Sequence, residues 1–250
     1  MGRPFAFRYP ASMPTPPTRR PARAGRPAAA PADAPRKRIL SELPSGLVGE
    51  IKQVAKAGRA EDVVRFVERA VGLIQDGQPD EAVAPASRAK HLAGRSAGVR
   101  EILALAYYQA GRWREALREM QAFRRMSGRL DENHVIADCY RALGRPDRAV
   151  EEAEAGLQAD VSDEVRAECA VVGASALADT GRLDDALAFI RRFPSRAGVG
   201  RPFDLRVWYV AGDILARLGR DEEAAAEFAR VIRHDPSAFD AADRLARLGH

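Results

Sequence analysis

Histidine, cysteine and carboxylate side chains are where this chain would do covalent or metal chemistry, and their placement argues against it. None of the four histidines, His91, His134, His234 and His250, has a partner at metal-ligand spacing. Two cysteines, Cys139 and Cys169, cannot build a disulfide framework or a metal site by themselves. Glycine-rich phosphate loops follow strands, and no segment alternates convincingly enough to be a strand. The convergent nucleophile, acid and base of an enzyme are missing. The sequence therefore predicts no enzyme, no cofactor and no metal. Cys139 reads as a small buried thiol used as filler. Cys169, expected in the first turn of the next helix, leaves redox pairing with Cys139 open, and a reducing compartment disfavours it.

The other chemistry on offer is charge. Arg19, Arg20, Arg23, Arg26, Arg36, Lys37 and Arg38 lie close together near the amino terminus. They could neutralise phosphates in a salt-sensitive, sequence-blind manner. Aromatic residues that would stack on bases are absent there apart from Phe5, Phe7 and Tyr9. Weak contact with RNA or the ribosome is thus one reading of the chain, without specific readout. The net charge of +5 belongs to this segment: residues 1–38 hold nine Arg or Lys against one acid, Asp33, and the remainder is slightly acidic. Residues 1–38 are also dense in Pro and Ala, with too few large apolar groups to offset chain entropy, so they are expected to be a disordered basic tail. Met13 offers a second start that leaves the folded part unchanged.

Composition then bounds the positioning elements. A 46% hydrophobic content supports a core, and 6% aromatics with abundant Ala and Leu favours closely packed helices over a β-sandwich. No stretch approaches the roughly 18 apolar residues of a membrane span, and the start lacks the apolar run of a signal peptide. A cytoplasmic protein without membrane contact is the expectation.

Order is expected from residue 39. Residues 41–44 resemble a turn, and a short helix over Leu47–Ala57 ends at Gly58, giving an amino-terminal capping element over 39–59. From residue 60 to 250 the pattern is helical. Five segments share one signature: GQPDEAV from Gly77, GRWREAL from Gly111, GRPDRAV from Gly144, GRLDDAL from Gly181 and GRDEEAA from Gly219. Five residues after each glycine stands alanine: Ala82, Ala116, Ala149, Ala186 and Ala224. Seven before stands a small residue, Ala70, Ala104, Ala137, Ala174 or Gly212; four before stands a large one, Leu73, Tyr107, Tyr140, Leu177 or Leu215. Two antiparallel helices joined by a tight turn approach closely only where small residues face each other, and the large residue fills the flanking gap. Glycine ends the first helix in a left-handed conformation, and the acids after it suit the positive end of the second. Pro85 should kink or shorten the second helix of the first unit. Residues 158–165 and 194–204 read as stretched links, and Ala238–Leu248 as a terminal capping helix.

These motifs resemble the tetratricopeptide repeat (TPR) family over about residues 60–236. LALAYYQAGRWREAL (103–117) and WYVAGDILARLGRDEEAAAEFARVIRHDP (208–236) carry the resemblance most clearly, the latter through Trp208, Gly212, Leu215, Gly219, Ala224, Phe228 and Pro236. The Arg- and Ala-rich composition also resembles uncharacterised actinobacterial members. The third and fourth units depart from the pattern, with Asn133 and Ala170 where an early aromatic is usual. The resemblance implies an all-α solenoid of about five helix–turn–helix repeats in a right-handed superhelix. It further implies a groove along the first helix of each repeat. Carried over by offset from each glycine, its positions are Glu101, Leu105, Tyr108 and Gln109; Asp131, His134, Asp138 and Arg141; Glu168, Ser175 and Asp179; and Arg206, Tyr209, Asp213 and Arg217. The matching face of the first unit, Val64, Val67, Val71 and Ile74, is apolar and expected to be covered by the 47–57 helix. The polar set reads either as a surface that holds a peptide or as an ordinary solvated face. Asp138–Arg141 and Asp213–Arg217 also have the spacing of local ion pairs.

Charge alternates along the array: residues 87–129 hold ten Arg or Lys against three acids, and 150–185 hold ten acids against two Arg. That polarity would orient an elongated partner or a second copy, or simply solvate outer faces. The leading expectation is a non-catalytic scaffold or adaptor that binds a peptide or protein segment in the repeat groove. The alternative is an RNA- or ribosome-associated factor using the tail.

Overall fold

The computed structural model describes residues 43–194 and 200–249. The basic tail, with Arg19, Arg20, Arg23, Arg26, Arg36, Lys37 and Arg38, lies outside the described residues. Twelve helices and no strand are present among the described residues. The chain divides into two compact units at Gly111–Arg112.

The first unit holds α1 (Ser45–Val54), α2 (Ala60–Gln75), α3 (Pro79–Leu92) and α4 (Ala97–Gln109). Helix α2 packs along α3, and α4 packs on both. Helix α1 is shorter than the sequence predicts. It stops at Val54, because Ala55 turns extended, and Gly58 closes a separate turn instead of the helix. It packs on α2 and on the start of α4, where the Ala97 amide donates to Glu50 Oε1 at 2.5 Å. In the apolar stripe Val67, Val71 and Ile74 are buried and Val64 is half-buried. Pro85 does not shorten α3, which runs unbroken through it with Pro85 itself buried. A buried proline ring adds apolar area while removing one backbone donor.

The second unit holds α5 (Trp113–Ser127), α6 (Asn133–Ala142), α7 (Pro146–Gln158), α8 (Asp163–Asp179), α9 (Leu183–Ile190), α10 (Pro202–Arg217), α11 (Asp221–His234) and α12 (Ala241–Arg247). Three antiparallel pairs, α6/α7, α8/α9 and α10/α11, follow one another, and α12 packs on α11. The third-to-fourth link is tighter than expected, since α7 ends at Gln158 and α8 starts at Asp163; the extra residues lengthen α8. That start puts Cys169 in the second turn of α8, not the first. Helix α12 starts later than Ala238 because a turn pinned by Asp235 and Ser237 intervenes.

The glycine signature has a direct structural cause. Gly77, Gly111, Gly144, Gly181 and Gly219 all have φ between 70° and 80°. The amide after the glycine reaches back to the carbonyl of the large residue four before it: Gln78 to Leu73, Arg145 to Tyr140, Arg182 to Leu177 and Arg220 to Leu215, at 2.8–3.1 Å. This double-bonded ending satisfies the last carbonyls and demands a left-handed residue. The five alanines that follow have no exposed surface at all. At Gly173, within α8, an added Cβ would stand 2.3 Å from Phe189 of α9 and 3.0 Å from Ala153 of α7, so the close approach of three helices excludes any larger residue.

Candidate functional site

In the second unit the first helices of successive pairs pack on one another, α6 on α8 and α8 on α10. The second helices are linked by long side chains instead: Arg192 to Glu154 at 3.0 Å and Arg191 to Glu223 at 3.5 Å. The first-helix row is therefore the more closely packed side of the unit.

Polar groups on that row are joined from repeat to repeat. Arg141 of α6 binds Asp138 at 2.7 Å within its own helix and Asp179 of α8 at 2.9 Å. Arg206 of α10 binds Glu168 of α8 at 2.7 Å. Arg217 donates to the Ala178 carbonyl at 2.6 Å, tying the end of α10 to the end of α8. Past the last repeat, Arg244 of α12 binds Asp213 of α10 at 2.8 Å, and the Tyr209 hydroxyl donates to Asp240 at 2.5 Å. Each cation spans one repeat, so the row is fixed by charge-assisted bonds.

The electrostatics follow from burial. Desolvation raises the Glu168 carboxyl above its ordinary value, although Arg206 pulls the other way. Burial would lower the Arg141 guanidinium, but Asp138 and Asp179 outweigh it and the net shift is upward. His134 is pushed down to about 4, chiefly by burial and then by the Arg206 charge, so it is neutral at physiological pH. Tyr209 is raised to about 12 by burial and by its bond to Asp240. Cys139 and Cys169 are both buried free thiols; burial pushes Cys169 up to about 12 and Cys139 higher still. Neither is a poised thiolate. Among the described residues no group of three or more His, Cys, Asp or Glu could hold a metal ion.

The groove positions carried over from the sequence separate by depth. His134 and Asp138 are buried, as is Glu168, so they brace the row from below and do not present themselves on it. Asp131 is held by Arg129 at 2.6 Å. Arg141 and Arg206 are about one-eighth exposed, engaged by the carboxylates named above. Ser175 is half-buried, and Asp179, Tyr209, Asp213 and Arg217 reach the surface. Asp213–Arg217 is a loose pair at 3.9 Å; the close partner of Asp213 is Arg244, which no local spacing reveals. In the first unit Leu105 and Tyr108 are buried, while Glu101 and Gln109 are half-buried. Sequence reasoning missed Arg244, Asp240 and Phe239. Phe239 is 37% exposed, has a left-handed φ of 57° and lies 4.7 Å from the Tyr209 ring, centroid to centroid. A bulky residue in that conformation is strained by about 1–2 kcal/mol. Arg244 also stands 5.9 Å from the Tyr209 ring.

Residues 135–237 match the family model described as tetratrico peptide repeat. Over those residues the chain is similar to tetratricopeptide repeats. Solved structures agree on the fold. A thermophilic TPR protein of Thermus thermophilus superposes with a TM-score of 0.57 at 18% identity, over 74% of this chain and 98% of that one. YrrB, described as a TPR protein with an unusual peptide-binding site, gives 0.50 at 18% identity, over 80% and 97%. NprR in complex with its cognate peptide NprX gives 0.52 at 16% identity, over 80% of this chain and 64% of that one. No curated protein is detectably similar in sequence. None of the described helices is long and apolar enough to cross a membrane.

Proposed function

We propose that this protein is a non-catalytic adaptor that holds a peptide or protein segment along the first-helix row of α6, α8, α10 and α12. The observation that carries the reading is the repeat-spanning ladder Arg141–Asp179, Arg206–Glu168 and Arg244–Asp213. Such bonds fix the row before any partner arrives, so ordering costs on binding are small. What then remains accessible is a mixed set suited to an extended segment: the Asp179 carboxylate at 49% exposure, the Arg217 guanidinium at 41% and the Phe239 ring stacked on Tyr209. Exposed aromatic and arginine side chains are the types that anchor binding. Peptide recognition by YrrB and by NprR on the same fold supports the reading.

The test is peptide selection from a random display library against the full chain, followed by anisotropy titration of the selected peptide. The variant Arg217→Gln/Phe239→Gly removes two exposed groups and leaves every ladder carboxylate, Asp179 included, in place. It should weaken binding by about tenfold or more, since anchors of this kind are each worth about 1–2 kcal/mol. Equal affinity of variant and wild type would overturn the proposal, as would a library that yields no binder.

A further inference from the structure

A second surface of the same unit breaks the charge rule that the repeats otherwise keep. Three residues after the turn glycine, at the start of the second helix, four repeats carry an acid: Asp80, Asp147, Asp184 and Glu222. The remaining repeat carries Arg114, a cation set against the positive end of α5. Four residues after the glycine the acid recurs as Glu81, Glu115, Asp185 and Glu223, and there the third repeat carries Arg148. The consequence is specific. In the second, fourth and fifth repeats the arginine following the glycine is bound by that acid: Arg112–Glu115, Arg182–Asp185 and Arg220–Glu223, at 2.6–2.8 Å. In the third, Arg148 pairs with Glu151 instead, and Arg145 has no acidic partner among the described residues.

Both departures open onto one place. A concavity of about 550 Å³ lies between the first turns of α5 and the turn from α6 to α7, ringed by the exposed Arg114, Arg118 and Arg145. Its apolar lining is Leu117, buried, and Leu143, half-buried. Glu115 is the one acid at its edge. Its carboxylate is taken by Arg112 at 2.8 and 3.1 Å, which holds it below its ordinary value. No ion pair engages Arg114, Arg118 or Arg145 among the described residues. Three exposed cations thus ring one hollow, two of them through breaks in the repeat's own pattern, and together they suit a counter-charged ligand.

We propose that this concavity docks an acidic peptide segment, with an apolar side chain seated on Leu117 and Leu143 and carboxylates on the three arginines. Forked guanidinium groups suit carboxylates, and the apolar floor suits a side chain. None of the lining residues is aromatic, so nothing here would stack nucleic-acid bases. The site lies at the helix-start end of α5 and the α6–α7 turn, apart from the first-helix row, and does not depend on the adaptor reading above.

The probe is a short labelled peptide of glutamates around one central leucine, titrated by anisotropy into the full chain. Controls are the same peptide with glutamine for glutamate and a thymidine oligonucleotide of equal charge. The variant is Arg114→Gln/Arg118→Gln/Arg145→Gln, with circular dichroism confirming its helicity. The expected result is binding of the glutamate peptide, weakened by added salt and about tenfold weaker in the variant. Equal binding by wild type and variant overturns the proposal, as does no preference over the glutamine peptide. An oligonucleotide that binds more tightly than the glutamate peptide and loses affinity in the variant also overturns it, in favour of a nucleic-acid surface.

Discussion

Mild acid should destabilise the second unit through His134. The ring is buried on α6, 4.0 Å from Glu132 across Nε2, and its pKa falls from an ordinary 6.5 to about 4. Burial is the main cause and the Arg206 charge adds to it, while the Asp131 backbone and carboxylate oppose both. Because the folded value lies below the unfolded one, the unfolded chain takes up the proton first. The histidine's contribution is therefore complete above about pH 6.5 and is lost as pH falls toward 4, below which both states are protonated. A displacement of that size corresponds to about 3 kcal/mol, of which about 2 kcal/mol is gone by pH 5. Urea unfolding followed by circular dichroism at several pH values between 7 and 4.5 measures it, in wild type and in His134→Gln, which stays neutral throughout. Carboxylates titrate in both proteins, so the informative quantity is the difference between them. Wild type should lose about 2 kcal/mol relative to the variant between pH 7 and pH 5. Parallel stability curves would refute the reasoning and place a charged His134 comfortably in the fold.

Two further outcomes follow from packing. Gly173→Ala gains helix propensity of about 1 kcal/mol, but its Cβ would collide with Phe189 and Ala153, both buried. Overpacking of about 1–3 kcal/mol should win and lower Tm, whereas Gly72→Ala in α2, with nothing within 4 Å of the new Cβ, should raise it in thermal melts. Cys139 and Cys169 should resist a thiol reagent in native buffer and react only at the rate of unfolding, because both are buried with raised pKa values; prompt native-state labelling of either would contradict the packing.

The repeat was legible because the turn dictates it. A left-handed glycine, an enclosed alanine five residues on and a large residue whose carbonyl receives the closing bond are all fixed by one local geometry, so they recur at fixed offsets. Depth on the first-helix row was not legible. Asp138 and Arg141 look like a surface pair at i,i+3, yet Asp138 is 1% exposed, and Arg141 also reaches Asp179 in the next repeat. Arg244 and Asp240 lie beyond the last turn glycine, where no offset applies, and Phe239 adopts a backbone conformation its residue type disfavours. Pro85 misled for the opposite reason: burial of its ring keeps α3 continuous where propensity alone would end it. The arginine concavity was half visible, as an excess of cations over 87–129, but its cause lies in which acids the repeat omits.

The most direct test of the central claim maps where a bound peptide lies. A peptide selected on the full chain, carrying a photoreactive benzophenone, would be cross-linked and the modified residues identified by mass spectrometry. Attachment is expected on the first-helix row, at or beside Asp179, Arg217, Tyr209 and Phe239. Attachment confined to the second helices α7, α9 and α11 would contradict it.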